Sequence, residues 1–306
     1  MITVESVSKN FNGKPAVDNI SFQAHDQEIL VLLGTSGCGK TTTLKMINRL
    51  IEADSGNIFI DGKNIRDQKP EDLRMGIGFV MQHAGLFPHY TIKQNIAVVP
   101  ELLKWDRKKT ENRTYELLRK LHLQEDVLSR FPGELSGGQQ QRVGIARALI
   151  ANTPVLLMDE PFGALDNITK ADIHSEFKSL EELKNKTIIL VTHDVQEAFE
   201  LGHRICLMDK GKIVQTGTPK EMLYHPQNTF VSEFFAENRL LLEYKTAVLK
   251  DVDPFQNSEN LYNELNFTEN TSVWDALQKL SSSHKNTEYY EKLIKTFNEY
   301  RKLQIV

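Results

Sequence analysis

The sequence predicts an α/β fold built on a mainly parallel sheet, and three observations carry that expectation. Short continuous runs of apolar, often β-branched residues alternate with helical patterns, the arrangement that links parallel strands through crossover helices. A glycine-rich loop follows one of these runs directly and opens onto a helical pattern, as a phosphate site requires. All 17 glycines fall at or before Gly217, so the residue most used for tight turns stops there and a differently built segment follows. With 306 residues, the chain has length for about two domains and at least one sizeable core.

The first clear strand covers residues 28–33, a run of Glu, Ile, Leu, Val, Leu and Leu that suits burial on both faces. Residues 154–158 and 187–191 repeat the pattern, and Phe79, Val80 and Met81 form a shorter one. Between the first strand and residue 154, a segment from about Leu102 to Leu123 carries Leu117, Leu118 and Leu121 at helical spacing among Lys, Arg and Glu. It reads as a helical insertion. Residues 204–208 and 213–215 flank Asp209, Lys210, Gly211 and Lys212, the signature of a hairpin. Residues 219–235 and 237–250 read as helices. The last 56 residues hold eight of the 25 Phe, Tyr and Trp residues, which favours a small, mostly helical appendage over disorder.

Charge names no partner: 37 Lys and Arg stand against 41 Asp and Glu, a net charge of -4, so no global basic field draws in nucleic acid or acidic lipid. Cys38 and Cys206 are the only cysteines, which argues against a disulfide scaffold or a structural zinc and fits a reducing compartment. The first six residues lack a basic and a long apolar region, and no run approaches the roughly 18 apolar residues of a spanning helix. The expectation is a soluble, cytoplasmic chain that serves a membrane only by docking on another polypeptide.

Chemistry concentrates in a few places. Gly34, Thr35, Ser36, Gly37, Cys38, Gly39, Lys40 and Thr41 match G-x-x-x-x-G-K-[ST], placed after a buried strand and before the helical run that starts at Thr42. The glycines let successive N–H groups converge on a phosphate, Lys40 meets the outer phosphates, and Thr41 offers a hydroxyl to Mg2+. Asp159 and Glu160 follow another strand at its carboxyl end, where ligands meet an open α/β sheet. Asp159 suits Mg2+, and Glu160 suits a general base for an attacking water. His193 ends a neighbouring strand, either as a γ-phosphate sensor or as an ordinary structural histidine. Gln82 stands likewise at a strand end, with contact to Mg2+ or water as one reading and a plain polar strand end as the other. Finally, Leu135, Ser136, Gly137, Gly138 and Gln139 precede a helical run, a second anion site at a helix N-terminus. One nucleotide needs only one such device. The second binds another ligand or completes a site on another chain.

These residues resemble the ATP-binding subunits of ABC transporters, over about residues 1–235. The phosphate loop, Gln82 as Q-loop, residues 135–139 as signature, residues 156–160 as Walker B, Ala164, Leu165 and Asp166 as D-loop and His193 as switch histidine occur in the family's order. The resemblance implies a P-loop NTPase cassette with an N-terminal antiparallel β subdomain. It further implies ATP and Mg2+ as cofactors and a homodimer closing head to tail, each signature capping the ATP on the opposite phosphate loop. Phe11, Gly34, Thr35, Ser36, Gly37, Cys38, Gly39, Lys40, Thr41, Thr42 and Gln82 become the ATP-binding set, with Phe11 stacking on adenine. Thr41, Gln82 and Asp159 become the metal set, and Glu160 and His193 the catalytic pair. Within the family, residues 45–52, 95–105 and 160–169 resemble the ATPases of osmoprotectant importers for glycine betaine, carnitine or choline. Such a subunit works with a transmembrane permease and an extracytoplasmic substrate-binding protein, at the cytoplasmic face of the membrane and without nucleic acid.

The resulting division is an ATPase domain over 1–240, with the helical insertion at about 88–152, and an appendage over 241–306. Residues 271–277 resemble the opening of a CBS helix, but 56 residues leave no room for a complete CBS pair. Rival readings are an importer ATPase for another small solute, such as an amino acid or polyamine, and a soluble ABC-type ATPase acting on DNA repair or the ribosome. A GTPase is disfavoured because Asn185, Lys186, Thr187 and Ile188 lack the Asp that guanine recognition needs.

Overall fold

The computed structural model describes residues 1–82, 84–163, 167–252, 265–281 and 287–304. Two compact units divide the chain, Met1–Thr216 and Gly217–Val306. The composition boundary at Gly217 coincides with this division, and residues 219–240 group with the second unit.

The first unit holds two sheets. A four-stranded one has the order β2-β1-β4-β5, from β1 (Ile2–Phe11), β2 (Lys14–Ala24), β4 (Ser55–Ile60) and β5 (Lys63–Asn64). Its pairs are antiparallel, as the family resemblance implied. Two of its turns are two-residue hairpins with both central residues at positive φ, Asn12 and Gly13 (50° and 77°) and Asp61 and Gly62 (50° and 75°). That backbone matches the right-handed twist of the flanking strands.

The larger sheet has the order β10-β9-β3-β8-β7-β6. Its strands are β3 (Ile29–Gly34), β6 (Ile77–Val80), β7 (Val155–Asp159), β8 (Thr187–Thr192), β9 (Arg204–Asp209) and β10 (Lys212–Gly217). β3 runs parallel to β8 and β9, and β7 parallel to β6 and β8. Leu30, Val31, Leu32 and Leu33 are wholly buried, as continuous apolar runs require in a sheet covered on both faces. The β9–β10 hairpin turns through Lys210 and Gly211 at φ 45° and 80°.

Helices flank the sheet: α1 (Lys40–Ile47), α2 (Pro70–Met75), α3 (Ile92–Leu102), α4 (Arg107–Lys120), α5 (Gly137–Leu149), α6 (Asn167–Ser179) and α7 (Val195–Leu201). The segment from about Leu102 to Leu123, expected as a helical insertion, is helical with one interruption. Leu102 ends α3, and α4 begins at Arg107. Pro100 withholds an N–H from the last turn of α3, Lys104 turns left-handed at φ 54°, and Asp106 caps α4 by accepting the Lys109 N–H at 2.9 Å. Leu117, Leu118 and Leu121 are buried as their spacing predicted.

The second unit is helical among its described residues: α8 (Pro219–Tyr224), α9 (Thr229–Ala236), α10 (Arg239–Thr246), α11 (Leu249–Val252) and two further helices, Val273–Ser281 and Thr287–Gln304. Phe297 is fully buried and stacks on Tyr244 with ring centroids 4.3 Å apart. The buried Glu243 carboxylate is paired with Arg239 at 2.9 Å and with Arg301, which offsets the cost of burying its charge. Residues 273–277, within the CBS-like stretch, form the start of the helix at Val273. Phe255 and Tyr262 lie outside the described residues. No helix among the described residues is long and apolar enough to cross a membrane.

Candidate active site

The loop from Gly34 to Thr41 joins β3 to α1, and its glycines are demanded by contact as well as by conformation. A Cβ on Gly34 would sit 2.2 Å from the Met208 carbonyl oxygen, and one on Gly39 2.4 Å from that of Ala16. Both residues also take positive φ, 154° and 105°, which L side chains rarely adopt. Lys40 folds back over the loop and is only 4% exposed. Its ammonium donates to the carbonyls of Gly34 and Thr35, both at 2.8 Å. The third contact of Nζ is Cys38 Sγ at 3.7 Å, a weak acceptor that an anionic oxygen would replace. Burial pushes the Cys38 thiol above its ordinary pKa, so that side chain packs the loop as a neutral group. Thr35, Ser36 and Gly37 form the exposed crest.

At the start of α1 the Thr41 hydroxyl donates to Asp159 Oδ1 at 2.7 Å. Asp159 is buried at the end of β7, and burial raises its pKa while the Thr41 hydrogen bond opposes the rise. Glu160, next along, takes φ 43° and gives its N–H to the Val191 carbonyl at 2.9 Å. This turn carries its side chain away from that of Asp159. Glu160 Oε2 accepts from Gln82 Nε2 at 2.9 Å, and Oε1 lies 3.2 Å from His193 Nδ1. Three separate strand ends thus meet at one carboxylate.

Behind His193 lies a buried polar group that sequence reasoning missed. Asp194 caps α7 through the N–H groups of Gln196 and Glu197 and pairs with Lys170 at 2.6 Å. Burial opposes ionisation of Asp194, but Lys170 and the Glu197 N–H outweigh it and hold the carboxyl below its usual range. Glu197 is 1% exposed. It accepts from the Thr192 hydroxyl at 3.1 Å, and burial pushes it up to about 8. A Glu four residues beyond His193 in a largely apolar run was the only local sign.

The other expected residues stand apart from this cluster. Phe11 projects, exposed, at the tip of the β1–β2 hairpin with the Lys9 ammonium 5.6 Å from its ring centroid. Ser136 caps α5 in a capping box: its hydroxyl accepts the Gln139 N–H at 3.3 Å, and the Gln139 side chain accepts the Ser136 N–H at 3.0 Å. Ser136 and Gly137 are exposed and Gly138 half-buried, so the N–H groups of the first turn face outward. Among the described residues, no hydrogen bond or ion pair joins this helix start to the Gly34–Thr41 loop. Asp166 lies outside the described residues.

A bound metal would find oxygen donors here rather than a cage. Among the described residues no three His, Cys, Asp or Glu cluster for a metal. Thr41 and Asp159, 2.7 Å apart beside the phosphate loop, present the hard oxygens that suit Mg2+, which takes its remaining ligands from phosphates and water.

Comparison with known proteins agrees with this geometry. The ABC transporter family matches residues 17–163. The choline transport ATP-binding protein OpuBA of Bacillus subtilis is 50% identical over 260 residues, covering 85% of this chain and 68% of that protein. The glycine betaine/carnitine/choline transport ATP-binding protein OpuCA of the same organism is 54% identical over 242 residues, covering 79% of this chain and 64% of that protein. The matched region thus spans about two thirds of each relative's length. Among solved structures, the dimeric post-hydrolysis state of the ATP-binding cassette MJ0796, bound to ADP and Pi, is similar with a TM-score of 0.65 at 33% identity, covering 71% of this chain and 98% of that one. Identity of one half to relatives of this kind, carried on the same fold, means that the chain belongs to the ATP-binding proteins of the ABC transporter family.

Proposed function

We propose that the chain is the ATP-hydrolysing subunit of an importer for a quaternary amine osmoprotectant such as glycine betaine, carnitine or choline. It would act as a head-to-tail homodimer on a separate transmembrane permease, at the cytoplasmic face of the membrane, with cargo delivered by an extracytoplasmic binding protein. The observation that carries the ATPase part is the convergence of Gln82, Glu160 and His193 beside the Lys40–Thr41–Asp159 group. The cargo rests on the names of the relatives. On this reading residues 1–240 form the ATPase domain and 241–306 an appendage short of a CBS pair.

Each residue then has a definite task. The loop N–H groups from Gly34 to Thr42 and the Lys40 ammonium hold the phosphates, with Lys40 exchanging its weak Cys38 contact for a phosphate oxygen. Thr41, Asp159 and Gln82 would hold Mg2+, which when bound supplies positive charge against the phosphate oxygens. Glu160 accepts the proton of the attacking water at its carboxylate, and His193 beside it meets the γ-phosphate. Phe11 stacks on adenine. Ser136, Gly137, Gly138 and Gln139 of one protomer close over the γ-phosphate held by the other.

Uptake tests the cargo. Deleting the gene in a strain without redundant importers should abolish accumulation of radiolabelled glycine betaine, carnitine or choline in high-salt medium, and Glu160→Gln should fail to restore it. Unchanged uptake of all three would refute the cargo while leaving the ATPase reading in place.

A further inference from the structure

Strand β1 pairs with β4 no further than Ser8, opposite Ser55, so this ladder stops short of Phe11. Asp54, just before β4, takes over where it stops and grips three consecutive residues. Its N–H donates to the Ser8 carbonyl at 2.9 Å. Its Oδ1 accepts from Lys9 Nζ at 2.7 Å, and its Oδ2 accepts the Asn10 N–H at 2.7 Å. The Lys9 and Asn10 hydrogen bonds hold the Asp54 carboxyl below its ordinary pKa, so the clamp is a carboxylate.

The ammonium fixed in this way lies over the Phe11 ring, 5.6 Å from its centroid, within reach of cation–π attraction. The ring itself stays 45% exposed. Across the hairpin Phe11 pairs with Lys14, two residues before Ala16, whose carbonyl oxygen would stand 2.4 Å from a Cβ on Gly39 in the phosphate loop. Two residues of strand span about 7 Å, a gap of the size that a ribose bridges between a base and its phosphates. Lys9 and Asp54 are both partly open to solvent, and an ion pair of that kind adds little to stability. What it changes is where one ring stands.

We propose that Asp54 and Lys9 are positioning residues for recognition of the nucleotide base: Asp54 fixes the hairpin arm and the ammonium, and Lys9 backs one face of Phe11 so that the other is ready to stack. The inference rests on the reading of Phe11 as the ring that meets adenine. A ring already held in place loses less freedom when a base stacks on it. The pair therefore acts on affinity for a base-bearing nucleotide, and neither on the grip of the phosphates nor on the chemical step.

Initial rates of the full chain give KM and kcat for ATP. Competition by inorganic tripolyphosphate, which carries the phosphates without a base, gives the affinity of the loop alone. Lys9→Ala should raise KM about 2- to 5-fold, the size of an exposed cation–π contact, and Asp54→Ala at least as much. In both, kcat and the inhibition constant of tripolyphosphate should stay within about 1.5-fold of the parent. Lys9→Arg, whose guanidinium can pair with the carboxylate and cover the ring, should keep the parental KM. Phe11→Ala should raise KM more than either variant, and adding Lys9→Ala to it should change nothing further, because both act through one ring. An unchanged KM in Lys9→Ala or in Asp54→Ala overturns the proposal. So do additive losses in the double variant, and so does an equal loss of tripolyphosphate affinity, the mark of a damaged loop. If Asp54→Ala fails to fold, Lys9→Ala and its double with Phe11→Ala decide. An unchanged KM in Phe11→Ala strikes the reading of that ring, and the inference falls with it, whereas a raised KM there beside a parental KM in Lys9→Ala refutes the inference alone.

Discussion

Replacing Glu160 by Gln separates nucleotide binding from hydrolysis. The two side chains have the same shape. The amide oxygen of the variant can still accept from Gln82 Nε2, which lies 2.9 Å from Oε2 in the parent. The new NH2 then faces His193 Nδ1, 3.2 Å from the present carboxylate, and donates to it when that nitrogen is unprotonated. The local network therefore survives, and the change in stability should stay within about 1 kcal/mol, the net worth of one hydrogen bond. Phosphate contacts lie elsewhere, on Lys40 and the loop, so affinity for ATP should be unchanged. The rate should not survive, because an amide cannot take a proton from water. Loss of a general base costs about 10²- to 10⁴-fold, or about 2.7 to 5.5 kcal/mol of barrier. Steady-state phosphate release at saturating ATP, beside titration with a fluorescent nucleotide, measures both quantities. Turnover within about 3-fold of the parent would remove Glu160 as the base, and a parallel loss of affinity would show that the substitution had damaged the binding loop instead.

Two further outcomes follow, one from the proposed head-to-tail dimer and one from a buried carboxyl. Ser136→Arg should abolish hydrolysis by blocking the partner's γ-phosphate, and mixing it with Lys40→Ala, each inactive alone, should restore about one working site per heterodimer; a series of mixtures that stays inactive although both variants dimerise would refute the shared site. Glu197, raised from 4.5 to about 8 by burial with Lys170, Asp194 and Glu160 around it, keeps a proton in the folded chain that the unfolded chain loses. Stability should therefore fall as pH rises from 4.5 toward 8, by up to about 1.4 kcal/mol per pH unit. Glu197→Gln should flatten that slope, and urea unfolding of both proteins with the same slope across this range would refute the assignment.

What the sequence made legible is local, and what it hid is tertiary. The strands at 28–33, 154–158 and 187–191 were readable because burial on both faces leaves an unbroken apolar run. The β9–β10 hairpin was readable from a Gly between short runs. Asn12-Gly13 and Asp61-Gly62 carried the same physical signal for the N-terminal sheet, which was expected through family resemblance alone. The helical insertion was readable from Leu117, Leu118 and Leu121, while its interruption at 103–106 is marked by Pro100 as a stop and Asp106 as a start. The candidate site divides the same way. Lys40 and Thr41 could be named because they close a glycine-rich phosphate-loop pattern, and Asp159, Glu160 and His193 because each follows or ends an apolar strand run. That Gln82 and His193 meet on Glu160 depends on strand order. Asn95 and Arg147, whose side chains hold the backbone of residues 84–91, carry no local mark, since a polar residue in a helix ordinarily faces water, and only the packed carbonyls give them a purpose.

Strand order is also what makes the chemistry controllable. The run β3-β8-β7-β6 sets the phosphate loop, His193, the Asp159–Glu160 pair and Gln82 at four neighbouring strand ends. Parallel register aligns Leu33 with Thr192 and Asp159 with Val191, so the residues just beyond come level at one edge. A separation of 78 residues thereby becomes 2.9 Å between Gln82 and Glu160. On the proposed reading this contact has a cost. A carboxylate oxygen that already accepts from an amide must give up or share that partner before it takes a proton from water. Gln82 itself precedes a segment held by Asn95 and Arg147. Withdrawal of Gln82 from Glu160 would therefore free the base. On that reading hydrolysis waits on the Gln82 contact as well as on the nucleotide, so a Gln82→Ala chain should hydrolyse ATP no more slowly at the proton-transfer step, and a fall of that step by about 10-fold or more would refute the account.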